Sequence, residues 1–98
     1  MTVWYKQGVI GNLQPVARKG LGRIAILYDS FCADLYITSL RDGNHKAGSL
    51  HYDGLAFDIK PFGIILLIDI KNVLGPEWDV VNENNHIHCE YDPKENKK

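Results

Sequence analysis

The sequence has few cysteines, almost no net charge and no long apolar run, and each shortage excludes a class of protein. Two cysteines, Cys32 and Cys89, cannot form a disulfide framework, and we expect two reduced, partly buried thiols. The formal net charge is -1, so no overall field attracts nucleic acid or anionic membranes. The longest apolar run, 62–70, is interrupted by Gly63 and Asp69 and is too short to span a bilayer.

The length and the apolar content are those of one small globular domain. The chain has 98 residues, of which 45% are hydrophobic. A domain of this size buries little surface, so a bound metal ion would add to its stability. We predict a single domain over residues 1–98, with an irregular segment at 1–14 that has room for one short strand, and a frayed tail at 94–98.

The hydrophobic pattern predicts two helices and four further strands. Apolar residues recur at helical spacing over about 15–31, after Pro15. A second, strongly apolar segment predicts a helix at 61–74, between Pro61 and Gly75. The strands are predicted at 35–40, 55–59, 78–81 and 86–91, and the last two form a hairpin. This order predicts an α+β fold, in which two helices pack on a small, mostly antiparallel sheet.

The segment Ser49–Asp58, SLHYDGLAFD, contains two residue types that bind metals well. His51 and Asp58 are seven residues apart. An odd separation would place them on opposite faces of a straight strand, so the chain must turn between them. Gly54 provides the backbone freedom for such a turn. This segment therefore predicts half of a metal site.

The second cluster of metal-binding residue types follows at the end of the chain. Strand alternation over 86–91 places His86, His88 and Glu90 on one face. A catalytic zinc ion takes three protein ligands and keeps one position for water. Glu83, in the preceding loop, could take a proton from that water. The two clusters together predict a zinc-dependent hydrolase of amide bonds.

These residues carry a resemblance to a known superfamily. Residues 49–58 match the SxHxxGxAxD signature of the D-Ala-D-Ala metallopeptidases, and His86-Ile87-His88 matches their HxH motif. The superfamily includes lysostaphin-type enzymes, phage L-alanyl-D-glutamate endolysins and the Hedgehog signalling domain. Residues 79–93 resemble small phage-encoded peptidoglycan peptidases, and the whole resemblance covers roughly residues 37–93. It implies a fold of the Hedgehog and DD-peptidase type.

The resemblance implies a zinc ligand set. His51 and Asp58 would be the first two ligands, and His88, the second histidine of the HxH motif, would be the third. His86 faces the same site and is the alternative third ligand. Zn²⁺ is therefore the expected cofactor.

The resemblance also implies catalytic and substrate-binding residues. Glu83 would be the general base, and His86 would stabilise the oxyanion. Aligned without gaps on the Hedgehog-type pattern, the carboxylate position falls instead on Asn82. Arg41 and His45 would contact the substrate, and Ser49 would hold the ligand loop in the substrate-binding site.

The implied function is a zinc peptidase that cleaves peptide bonds of bacterial peptidoglycan, as a carboxypeptidase or an endopeptidase. Its partner would be a peptidoglycan peptide, with no nucleic acid and no membrane insertion. The alternative is a non-catalytic zinc module that binds the wall or belongs to a virion. No export signal is visible at the N-terminus, so we expect the protein in the bacterial host cytoplasm or in a virion, acting on the cell wall.

The remaining conspicuous side chains have ordinary expected roles. The apolar run Ile64–Ile70 is expected in the core. Trp4, Tyr5 and Trp78 are expected in the core or at its edge, with a place for one of them in the lining of a substrate groove as the alternative. Glu90 and Asp92 are expected to be solvated surface residues.

Overall fold

A computed structural model of the chain describes residues 3–5, 13–40 and 54–93. Five strands and two helices lie within these residues, and their arrangement confirms the predicted α+β fold. In chain order they are β1 (Val3–Tyr5), α1 (Pro15–Ser30), β2 (Leu35–Ser39), β3 (Ala56–Ile59), α2 (Leu67–Leu74), β4 (Trp78–Asn82) and β5 (Ile87–Tyr91). Neither helix is both long enough and apolar enough to cross a membrane.

The five strands form one mixed sheet in the order β1-β2-β3-β5-β4. Only the β1–β2 pair is parallel, and the other three pairs are antiparallel. Strands β4 and β5 form the hairpin that the sequence predicts. Strands β3 and β4 are consecutive strands of the chain, but β5 lies between them in the sheet. The second strand of the hairpin is therefore the one that pairs with β3. This topology places the two clusters of predicted site residues on adjacent strands.

The sheet has one face in the core and one face away from it. Phe57 lies opposite Cys89, and Ile59 lies opposite Ile87. All four side chains are buried, and they belong to the same hydrophobic cluster as Tyr28 of α1 and other helix residues. Because side chains alternate along a strand, the residues between them point to the opposite face, which is called the open face below.

Helix α1 packs through one stripe of residues, as its spacing predicts. Ala17, Gly20, Ile24 and Tyr28 are buried along this stripe. A Cβ atom at Gly20 would lie 2.5 Å from Cζ2 of Trp78, so glycine at this position allows the indole to pack directly on the helix.

The second helix is shorter than predicted. It begins at Leu67, so the expectation of a helix from residue 61 is wrong for 61–66. Leu66 has an extended backbone, and its N–H donates to Oδ2 of Asp69 at 2.9 Å, which caps the helix. Ile65 donates its N–H to the carbonyl of Phe62, which closes a turn before the cap. A local side-chain cap therefore sets the start of α2.

The shorter helix changes the environment of the apolar run. Ile65 and Ile70 are buried, but Ile64, Leu66 and Ile68 are more than half exposed. The expectation that the whole run lies in the core is therefore wrong.

The expectations about four single side chains, two tryptophans and two cysteines, have mixed outcomes. Trp78 is buried, as predicted, whereas Trp4 is 47% exposed. Both cysteines are free, as expected, but only Cys89 is buried and Cys32 is exposed.

Candidate metal centre

The centre of the open face is formed by one cross-strand pair. In the register of β3 and β5, Asp58 lies directly opposite His88. The two side chains are in contact, with Oδ1 of Asp58 2.9 Å from Nδ1 of His88. Asp58 is buried although it is charged, with 7% of its surface exposed. A buried carboxylate needs a compensating partner, and His88 provides one.

The geometry of this pair fits two ligands of one zinc ion. In a tetrahedral site with zinc–ligand bonds of about 2.0–2.1 Å, neighbouring ligand atoms lie about 3.3 Å apart. The 2.9 Å separation between Asp58 and His88 is close to this value, so small side-chain rotations would admit an ion. A carboxylate oxygen and an imidazole nitrogen are also donors that zinc accepts.

Glu90 holds the other side of the His88 ring. Its Oε1 lies 2.7 Å from Nε2 of His88, so this nitrogen donates to the carboxylate while Nδ1 faces Asp58. Metal-binding histidines commonly donate their second ring nitrogen to a carboxylate in this way. The expectation that Glu90 is a solvated surface residue is wrong, because it is half-buried and bonded to the site. In the sequence, the alternation along strand 86–91, which places Glu90 on the same face as His88, is the signal that identifies Glu90 as part of the site.

The two carboxylates make His88 unusually basic. Its pKa rises from 6.5 to about 9, mainly through the hydrogen bond with Asp58, with a further contribution from Glu90. Burial opposes this rise, because it disfavours the charged imidazolium. The metal-free centre therefore holds a proton on His88 at neutral pH, in the place that a metal ion would take.

Glu83 and His86 lie beside this pair, at the end of the β4–β5 hairpin. Oε1 of Glu83 is 3.0 Å from Nε2 of His86, and the same nitrogen is 3.8 Å from Oδ2 of Asp58. The backbone N–H of Glu83 donates to the carbonyl of His86 at 2.9 Å, which sets the turn. The Glu83 carboxylate therefore points towards the centre.

The register of the hairpin separates Glu83 from the alternative base position. Asn82 lies opposite Ile87, whose side chain is in the core. Opposed residues share a face, so Asn82 lies on the face away from His88. His88 is also nearer to Asp58 than His86 is, at 2.9 Å against 3.8 Å. This geometry favours His88 as a ligand and His86 as its neighbour.

A second group of acidic side chains adjoins the centre. Asp79, Glu90 and Asp92 each place one carboxylate oxygen within 4.8 Å of the others, so the group could hold a metal ion. A set of oxygen donors alone suits harder cations better than zinc. Asp92 is half-buried, so the expectation that it is a solvated surface residue is wrong.

A cleft opens beside both groups. Its volume is about 810 Å³, and Glu83, His88 and Glu90 line it together with the end of α2. A cleft of this volume admits a small peptide.

The remaining predicted site residues lie outside the described part of the chain. They are His51 among the metal ligands, and Arg41, His45 and Ser49 among the substrate-binding residues. Their assignments stay predictions. The structure brings together the other four predicted residues: Asp58, Glu83, His86 and His88.

No known family model matches the chain. The resemblance to the D-Ala-D-Ala metallopeptidases therefore rests on residues 49–58 and 86–88 and on their spacing.

Proposed function

We propose that this protein is a zinc-dependent peptidase that hydrolyses peptide bonds of bacterial peptidoglycan. The observation that carries the proposal is the contact between Asp58 and His88, which are 30 residues apart in sequence and 2.9 Å apart in space. Both occupy ligand positions of the metallopeptidase motifs. A buried carboxylate–histidine pair with a second carboxylate behind the histidine has the form of a metal site with its supporting shell.

The residues of the centre have distinct roles in this proposal. His51, Asp58 and His88 would hold zinc, which supplies a water of lowered pKa and a Lewis acid for the scissile carbonyl. Glu83 takes the proton of the attacking water and returns it to the leaving amine. His86, 3.0 Å from Glu83, keeps that carboxylate aimed at the centre and donates to the oxyanion that forms. Glu90 fixes the orientation of the His88 ring.

The first experiment tests the metal. Purified protein should contain about one zinc per chain, and His88→Ala should remove most of it, because one of three ligands is lost. Elemental analysis after gel filtration measures the content. Zinc-free wild-type protein that remains folded after growth in zinc-supplemented medium would overturn the assignment of the site.

The second experiment tests the reaction. Glu83→Gln should retain zinc but lose release of peptides from purified cell walls, by about a hundredfold or more for a general base. Glu77→Gln is the matched control, since Glu77 is an exposed carboxylate in the turn just before β4. Mass spectrometry of the released products identifies the bond that is cut.

The alternative function is a zinc-containing module that binds the wall without cutting it. The orientation of Glu83 towards the centre favours the enzyme. Wild-type protein that holds zinc and sediments with cell walls, yet releases nothing from walls of several bacterial types, would establish the alternative.

A further inference from the structure

A row of three exposed side chains crosses the open face of the sheet next to the candidate metal centre. Trp4 pairs with Tyr36 in the parallel register of β1 and β2. The backbone N–H of Lys60 donates to the carbonyl of Tyr36 at 2.9 Å, which places Lys60 beside it at the end of β3. The residues on either side of Tyr36 are buried in the core, so Tyr36 itself points to the open face.

The three side chains form one stack. The rings of Trp4 and Tyr36 lie nearly parallel, at 15°, with centroids 6.2 Å apart. The ammonium of Lys60 lies over the Tyr36 ring, 5.3 Å from its centroid. This cation–π contact restricts the flexible lysine side chain.

The backbone of Lys60 is also fixed. The hydroxyl of Tyr28, a fully buried residue of α1, donates to the Lys60 carbonyl at 2.9 Å. Lys60 is therefore held from the core side by a hydrogen bond and on the open face by an aromatic ring.

The ammonium of Lys60 has no acidic partner among the residues that the structure describes. Within residues 3–5, 13–40 and 54–93 it forms no ion pair, although Asp58, Glu83 and Glu90 all lie on or beside the same face. A positioned ammonium that forms no ion pair is available to donate charged hydrogen bonds to an anion.

The distance from Lys60 to the centre matches the spacing of residues in an extended peptide. It follows Asp58 by two residues, and both side chains lie on the open face, so their Cα atoms are about 6.6 Å apart at roughly 3.3 Å per residue. An extended peptide advances by the same amount per residue. A substrate that crosses the centre along β3 would therefore bring a group about two residues from its scissile bond to Lys60.

A small cavity provides the space for that group. It has a volume of about 400 Å³, and Tyr36, Lys60 and Phe62 line it together with Asp34. The Asp34 carboxylate lies 3.4 Å from the indole nitrogen of Trp4, which donates to it. The cavity thus combines the Lys60 ammonium, the rings of Tyr36 and Phe62 and the Asp34 carboxylate, and Trp4 adjoins it through its hydrogen bond to Asp34.

We propose that Lys60, Tyr36 and Trp4 form a subsite for a carboxylate-bearing residue of the peptide substrate, about two residues from the scissile bond. The Lys60 ammonium donates to the carboxylate, and the aromatic rings contact the aliphatic part of the same residue. This subsite rests on the proposed peptidase function and specifies the class of peptide that it selects.

The test compares two peptides that differ in one group. One carries a free carboxylate two residues from the cleaved bond, and the other carries a carboxamide there. Zinc-loaded wild-type protein should cleave the first with a kcat/KM about tenfold to a hundredfold higher, because a charged hydrogen bond is lost in the second. Lys60→Met should remove this preference mainly through KM, and Lys60→Arg should keep most of it. Lys19→Met, at an exposed lysine of α1, should leave the preference unchanged.

A binding measurement separates this proposal from the proposed function. Zinc-loaded Glu83→Gln is titrated with both peptides by calorimetry, with and without Lys60→Met. If the protein binds the carboxylate peptide more tightly, and Lys60→Met abolishes this preference, the result supports the subsite even if wild-type protein cleaves neither peptide. Equal binding of both peptides, or equal loss of both upon Lys60→Met, overturns it.

Discussion

The pair formed by Asp58 and His88 should control a proton and a metal ion at the same position. In the metal-free protein the pKa of His88 is raised from 6.5 to about 9, first by the hydrogen bond with Asp58. This difference corresponds to roughly 3 kcal/mol of preference for the charged imidazolium in the folded state. Asp58→Asn removes the negative charge with little change in shape, so the pKa of His88 should fall well below its wild-type value, since burial lowers it and only Glu90 still raises it.

Nuclear magnetic resonance measures this change directly. The ring C–H shifts of His88 are followed against pH in protein stripped of metal by a chelator. Glu90→Gln is the control. It should lower the pKa of His88 less than Asp58→Asn does, because the hydrogen bond with Glu90 raises this pKa less than the hydrogen bond with Asp58 does. A wild-type His88 that titrates at or below 6.5 would refute the reasoning, because the contact with Asp58 would then not exist in solution.

The same pKa determines how stability and zinc binding depend on pH. A histidine whose pKa is raised on folding stabilises the folded state fully below 6.5 and loses that contribution as pH rises through about 9. Metal-free protein should therefore unfold at lower denaturant concentration at pH 9.5 than at pH 6.5. In the proposed site zinc would have to displace the His88 proton, so its apparent affinity should rise by about tenfold per pH unit up to about pH 9. Titrations against a competing chelator at several pH values test this slope.

Two further predictions concern the scaffold. Gly20→Ala should destabilise the protein by about 1–3 kcal/mol in denaturant unfolding, because its methyl group would overlap Trp78, which lies 2.5 Å from the added Cβ. Gly22→Ala is the matched control on the same helix, where the added Cβ meets nothing within 4 Å, and it should stabilise by up to about 1 kcal/mol. An Ellman reaction on native protein should label exposed Cys32 quickly and Cys89 only on unfolding, since burial raises the pKa of the Cys89 thiol. Rapid labelling of both thiols in the native protein would show that Cys89, on the core face of β5, becomes accessible to solvent without global unfolding.

The sequence by itself determines the features that depend on near neighbours in the chain. Helical spacing predicts a helix over about 15–31, where the structure has α1 at Pro15–Ser30, and a polar loop between two predicted strands locates the β4–β5 hairpin. Strand alternation places His88 and Glu90 on one face before any contact is known. The start of α2 is also encoded locally, in the Asp69 side chain that caps Leu66, but the apolar run before it favours a longer helix.

Only the tertiary structure decides which distant residues meet. The contact between Asp58 and His88 depends on β5 lying beside β3, and a shift of one residue in that register would turn one of the two side chains into the core. The packing of Trp78 on Gly20 and the stack of Trp4, Tyr36 and Lys60 likewise join separate strands and helices. Periodicity reports which face a side chain occupies, whereas register and strand order, which fix its partners, follow from the packing of the whole sheet.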